Sequence, residues 1–129
     1  MKQKQNIEKI KKLAASNADV DVLWLYGSRA RSQAHENSDY DLAVAFKNYV
    51  KDPVECRLRP ELLALEWQKQ LGFDLSIIDI NQAALPMAYT IVQDNVTIFC
   101  SDDYRRMVEE QRIMSKWELD HLHHRKYYA

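Results

Sequence analysis

The 129-residue chain carries 18 basic and 19 acidic side chains, a formal net charge of −1, 47% hydrophobic and 10% aromatic residues, three prolines and two glycines. Average glycine usage of about 7% would supply roughly nine, and with Gly27 and Gly72 far apart neither the dinucleotide fingerprint nor the P-loop pattern can occur. The same composition excludes collagen repeats, glycine linkers and low-complexity disorder, and the balanced charge lacks the broad basic footprint of a bulk nucleic-acid binder.

A chain of this length is expected to form one compact domain over residues 1–129, with little room for a second core. Cys56 and Cys100 are isolated thiols without metal-ligand spacing, and the opening MKQKQNIEKI has no stretch suited to a signal peptide. A reducing cytoplasm is the expected compartment. No run approaches 18 uninterrupted apolar residues, so no membrane-spanning segment is expected.

In chain order, residues 3–16 place Ile7, Ile10, Leu13 and Ala14 on one helical stripe, with Asn17 as a stop. Val20 to Tyr26 is apolar and rich in β-branched and aromatic residues, and reads as a strand closing into Gly27-Ser28. The polar residues 29–38 have room for a short helix starting at that turn. Tyr40 to Phe46 reads as a second strand. Asp52-Pro53-Val54-Glu55 has the cap residue, first-turn proline and N3 glutamate of a helix start. Pro60 is expected to restart or kink that helix. Leu63, Ala64, Trp67 and Leu71 continue it, and Gly72 suits the left-handed position after its end. Phe73 to Ile80 reads as a third strand, Asn81 as a cap, Leu85 to Asp94 as a helix, and Val96 to Cys100 as a short strand. From Asp102 to about Lys126 a long charged helix carries Tyr104, Met107, Val108, Met114 and Trp117 as a stripe that would cover the sheet or meet a partner. This order implies a small α/β (α+β) domain with a mixed sheet.

The informative stretch is WLYGSRARSQAHENSDYDL, residues 24–42, in which Gly27-Ser28 is followed after ten residues by Asp39-Tyr40-Asp41. Chance would produce those four identities at that spacing in about one chain in five hundred of this length. Residues i and i+2 of a strand share a face, so Asp39 and Asp41 present two carboxylates together while Tyr40 faces away. Such a pair repels itself unless a cation intervenes, and hard oxygens on one face suit Mg2+ shared with substrate phosphates. Gly27 lets the backbone approach a phosphate closely, and a helix start near Ser28 would aim N–H groups and a hydroxyl at it.

This pattern resembles the nucleotidyltransferase superfamily related to DNA polymerase β, with G-S, a spacer, D-x-D, and a third carboxylate on a later strand. The resemblance covers nearly the whole chain and assigns the third carboxylate to Asp74. Asp79 lies on the same strand with opposite parity, and alternation alone does not choose between them. The short form, with YGSRAR, SDYDLAV and FDLSIID followed by a terminal helix, is similar to the minimal nucleotidyltransferase (MNT) antitoxins encoded beside HEPN toxins. That likeness implies the minimal nucleotidyltransferase fold, a small mixed sheet flanked by helices with a long C-terminal helix. It implies Mg2+-dependent transfer of AMP from ATP onto a tyrosine of a partner ribonuclease toxin. Asp39 and Asp41 would bridge two Mg2+ ions, Asp74 would hold the catalytic one, either as a ligand only or also as the base that accepts the attacking proton, and Ser28 would position the β- and γ-phosphates. Arg29 and Arg31 are candidates for neutralising phosphate charge. Ser32 departs from the family, where many relatives carry glycine after Arg-x-Arg, and so bears on the conformation of the spacer.

Other readings stand beside this one. A binding antitoxin that occludes its toxin without transferring nucleotide is one alternative. Transfer to a small hydroxylated molecule such as an aminoglycoside is another, although such enzymes usually add an acceptor-binding domain. The C-terminal His121, His123 and His124 lack the i, i+4 spacing of helical metal ligands and read as a polar terminus. Trp24, Trp67 and Trp117 fall at expected core positions. Membrane and direct nucleic-acid partners are not expected.

Overall fold

The computed structural model describes the backbone of residues 2–128 and side chains as far as Leu122. Helices α1 (Lys2–Ala15), α2 (Pro53–Leu71), α3 (Leu85–Asp94) and α4 (Asp103–Tyr128) surround strands β1 (Val20–Tyr26), β2 (Tyr40–Phe46), β3 (Leu75–Asp79) and β4 (Val96–Cys100). The strands form one sheet in the order β3-β2-β1-β4. β1 pairs antiparallel with both β2 and β4, whereas β2 and β3 run parallel. A parallel neighbour needs a long crossover, and α2 supplies it.

Alternation along the strands divides the core between the two faces of the sheet. Leu23, Leu25, Tyr40, Leu42, Val44, Leu75 and Ile77 pack with Ile10 and Ala14 of α1 and Leu63, Ala64 and Trp67 of α2. Val22, Trp24, Tyr26, Ala43 and Ala45 pack with Ala88 and Ile91 of α3 and Ile113 of α4. Every residue of β1 is buried, as expected for a central strand covered on both faces.

The helix ends follow local rules in α2. Asp52 caps it by accepting from the amides of Val54 at 2.8 Å and Glu55 at 3.1 Å, and Gly72 ends it with φ +80°. Pro60 neither restarts nor ends the helix, which continues from Pro53 to Leu71. Proline has no N–H for the carbonyl of residue 56. That carbonyl instead accepts from Gln82 Nε2 at 2.8 Å, so a side chain beyond β3 replaces the missing helical bond.

Three local expectations change. Residues 28–32 form turns rather than a short helix, because the amides of Ala30 and Arg31 both return to the Gly27 carbonyl and that of Gln33 returns to Ser28. Asn81 does not cap α3, whose N-cap is Ala84 without a side-chain bond. Its amide nitrogen donates to both carboxylate oxygens of Glu109. The stripe expected on α4 is also rotated. Glu109 and Ile113 are buried, whereas Tyr104, Met107 and Val108 face outward.

Glu109 centres a polar network that docks α4. It receives Asn81, Arg105 and Arg112, while Arg105 also donates to the Phe46 carbonyl at 2.9 Å and pairs with Asp21 at 3.4 Å. Further along, Trp117 stacks on Tyr89 of α3, ring centroids 4.2 Å apart and 13° from parallel. Trp24 and Trp67 are buried as expected. His121 is exposed; the readings at His123, His124 and the following side chains lie outside the described residues. Among the described residues, no helix is long and apolar enough to cross a membrane.

Candidate active site

The sequence motif gathers at one end of the sheet. β1 delivers Gly27-Ser28 there, antiparallel β2 starts there with Asp39 and Asp41, and parallel β3 starts beside it after Asp74. Tyr26 stands opposite Asp41, Asp41 opposite Ser76, and Tyr40 opposite Leu75. Across the sheet end the order is therefore the Gly-Ser turn, the Asp pair, then Asp74. Asp79 pairs with Val44 near the other end of the strands, where its carboxylate accepts from the Asn81 amide and Gln82 Nε2.

Parity agrees with this arrangement. Tyr40 and Leu42 enter the core on the α1/α2 face, as do Leu75 and Ile77. Asp41 shares its side of β2 with Ala43 and Ala45, and Ser76 shares its side of β3 with Ile78, all of which belong to the α3/α4 face. Asp39 and Asp74 precede the two strands and border the cleft at the start of α1. The Ser76 hydroxyl donates to Asp41 Oδ1 at 3.0 Å.

Gly27 makes this close packing feasible. Its φ is +79°, and a Cβ built there would lie 2.7 Å from Asp41 Oδ2. The close approach in the structure is thus between the glycine and the Asp41 carboxylate. Burial, and then the nearby Asp41 charge, push the Tyr26 phenol up to about 12, so it is a neutral neighbour at physiological pH.

The two arginines differ. The Arg29 guanidinium lies 4.1 Å from the Tyr40 ring centroid and donates to the carbonyls of His35, Glu36 and Ser38 and to Gln3 Oε1. It fastens the spacer loop to α1. Arg31 is half-exposed and pairs with Asp94, Nε to Oδ1 3.6 Å. Ser32 adopts φ +58°, a left-handed conformation suited to glycine. Asp94 has no counterpart in the sequence reading. Its one local signal was an acidic residue in the last turn of a helix, where the dipole disfavours it.

Asp39, Asp74, Arg29, Asn6 and Tyr40 border a cleft of about 270 Å3 at the start of α1. The carboxylates are hard oxygen donors of the kind a divalent cation such as Mg2+ takes, and the missing side chain at Gly27 leaves Asp41 Oδ2 its place. Asp39 and Asp74 are exposed. Among the described residues no three His, Cys, Asp or Glu side chains already converge tightly enough to hold a metal.

The fold has clear relatives among solved structures. One described as a toxin-antitoxin with AMP-PNP matches with a TM-score of 0.75 at 20% identity, covering 95% of this chain and 94% of that one. The toxin-antitoxin MntA-HepT gives 0.70 at 18% identity, covering 96% and 94%. A tri-AMPylated Shewanella oneidensis HEPN toxin in complex with MNT antitoxin gives 0.70 at 17%, covering 97% and 94%. No curated protein matches in sequence. The family described as Polymerase beta, Nucleotidyltransferase matches residues 8–104, a span that takes in the Gly-Ser turn, the Asp pair and Asp74. By that match and by its fold, the chain belongs to the polymerase β-type nucleotidyltransferase family.

Proposed function

We propose that this chain is an MNT antitoxin acting as one protein adenylyltransferase domain, moving AMP from ATP to a tyrosine of a cognate HEPN ribonuclease toxin in the cytoplasm. The observation that carries the reading is the order across one sheet end: Gly27-Ser28, then Asp39 and Asp41, then Asp74. It is supported by the fold shared with the antitoxin complexes above.

Transfer requires the acceptor oxygen, the α-phosphorus and the leaving oxygen to lie roughly in line. With the triphosphate tail at the Gly27-Ser28 end, the phenolic oxygen approaches from the Asp74 end. The phenol gives up its proton as its oxygen forms the new bond to the α-phosphorus. The bond from that phosphorus to its bridging oxygen breaks, and pyrophosphate leaves. Asp39 and Asp41 would hold the two Mg2+ ions, with Asp74 as a further ligand to one, and the ions would stabilise charge on the attacking and leaving oxygens. The Ser28 hydroxyl orients the phosphate tail. Asp74 accepts the phenolic proton. Arg31, half-exposed at the rim, is the more available guanidinium for phosphate, since Arg29 already serves several carbonyls.

The test is intact mass of the toxin after incubation with this protein, ATP and Mg2+. AMP units on tyrosine are expected, and Asp39→Ala or Asp41→Ala should reduce the rate by at least about 100-fold, because metal stabilisation is worth several kcal/mol. Labelling that persists in both variants would sink the proposal.

The outward-facing Tyr104, Met107 and Val108 on α4 favour a second reading, in which the protein neutralises by occlusion. An unlabelled toxin that the Asp39/Asp41 double alanine variant still silences would favour it.

A further inference from the structure

Asp94, the last residue of α3, lies 67 positions from the turn that it touches. Its side chain is only 8% exposed. A carboxylate at that place meets the partial negative charge of the helix's unpaired carbonyls, and burying an anion is costly unless it is paired. Two groups of the Gly-Ser turn offset this. The Gly27 N–H donates to Oδ2 at 2.9 Å, and Arg31 Nε lies 3.6 Å from Oδ1.

The other side of Gly27 is occupied as well. Its carbonyl accepts from the amides of Ala30 and Arg31 at 3.1 Å and from Arg31 Nε at 3.3 Å. Both polar groups of Gly27 are therefore satisfied within the protein. What the residue contributes to the site is its left-handed conformation, which leaves Asp41 Oδ2 the volume a Cβ would fill.

We propose that Asp94 is a positioning residue of the nucleotide site. Through the Gly27 N–H it fixes the turn that seats the Asp41 carboxylate and presents Ser28, and through Arg31 it sets a guanidinium at the rim. This rests on the nucleotidyl-transfer reading above. Asp94 touches no reacting atom in this role. A residue that merely competed with phosphate for the Gly27 N–H would have the opposite effect, since its removal would tighten nucleotide binding.

Calorimetric titration of AMP-PNP with Mg2+, paired with thermal melts, tests the assignment. Asp94→Ala is expected to weaken binding about tenfold or more, the scale of one lost charge-assisted hydrogen bond. Asp94→Asn keeps an acceptor for the Gly27 N–H but loses the anion that holds Arg31, and should bind between the parent and Asp94→Ala. In toxin labelling, Asp94→Ala should raise KM for ATP and lower kcat together, whereas a purely structural residue would lower Tm alone. Unchanged or tighter affinity in Asp94→Ala, or Asp94→Asn as weak as Asp94→Ala, overturns the proposal. Should the alanine variant not fold, Asp94→Glu moves the acceptor by one methylene and is expected to bind about tenfold more weakly; parent affinity there overturns it equally. Failure of the unmodified protein to bind AMP-PNP removes the nucleotide reading itself, an outcome independent of position 94.

Discussion

Gly27 has no side chain, and the Asp41 carboxylate of the neighbouring strand sits where one would be. Gly27→Ala would place a Cβ 2.7 Å from Asp41 Oδ2 and keep a non-glycine residue at φ +79°. We expect a loss of about 1–3 kcal/mol in chemical denaturation, with AMP-PNP affinity falling further than stability alone accounts for. Ser32 presents the reverse case. At φ +58° it holds a conformation that costs an L-residue roughly 1–2 kcal/mol, so Ser32→Gly should stabilise the fold by about 0.5–1 kcal/mol after glycine's larger chain entropy is subtracted. The Gly-Ser and Asp-x-Asp residues were legible in sequence because strand parity and spacing are local. Asp94 was not, because its role depends on a contact across 67 residues.

Among the elements, α2 shows how a local rule yields to tertiary structure. The helix does not restart at Pro60, and Gln82 donates to the Cys56 carbonyl that the proline leaves without a helical partner. Gln82→Ala should therefore cost about 1 kcal/mol in urea unfolding, the scale of one net hydrogen bond, and raise amide exchange in the turn around Cys56. The strands were readable from their apolar, β-branched runs. The face of α4 was not, since buried Glu109 and Arg105 break the apolar stripe that periodicity relies on. Likewise the spacer after Ser28 has helix-compatible residues but returns its amides to Gly27 and Ser28. Trp117→Ala, which removes the stack on Tyr89, should cost roughly 1–3 kcal/mol and loosen α4 from α3.

For the molecule as a whole, Glu109 sets an acid limit. Burial raises its carboxyl affinity for protons, but hydrogen bonds from Asn81, Arg112 and Arg105 outweigh that and hold the pKa below the ordinary carboxylate range. A group depressed in the folded state contributes stability that is present above its unfolded pKa of about 4.3 and is lost as pH falls through the folded value. Unfolding midpoints followed from pH 7 to pH 3 should fall more steeply in the parent than in Glu109→Gln. That variant should already be about 2 kcal/mol less stable at pH 7, since its arginines lose their anion. Parallel pairing of β2 with β3 also acts at this scale, because it puts Asp74 at the sheet end where Asp39 lies and Asp79 near the other end, which supports the proposed role of Asp74.

The two ends of the sheet thus carry separate duties. Asp21, Phe46, Asn81, Arg105 and Glu109 knit the end away from the carboxylates, while Gly27, Asp39, Asp41 and Asp74 occupy the other. A random library sorted first for soluble expression and then for activity should divide along the strand axis. Losses of abundance should follow the core and the Glu109 network at one rim, and abundant but inactive variants the exposed Asp39 and Asp74 at the other. Gly27 belongs to both groups, since filling its place costs stability as well as Asp41's seat.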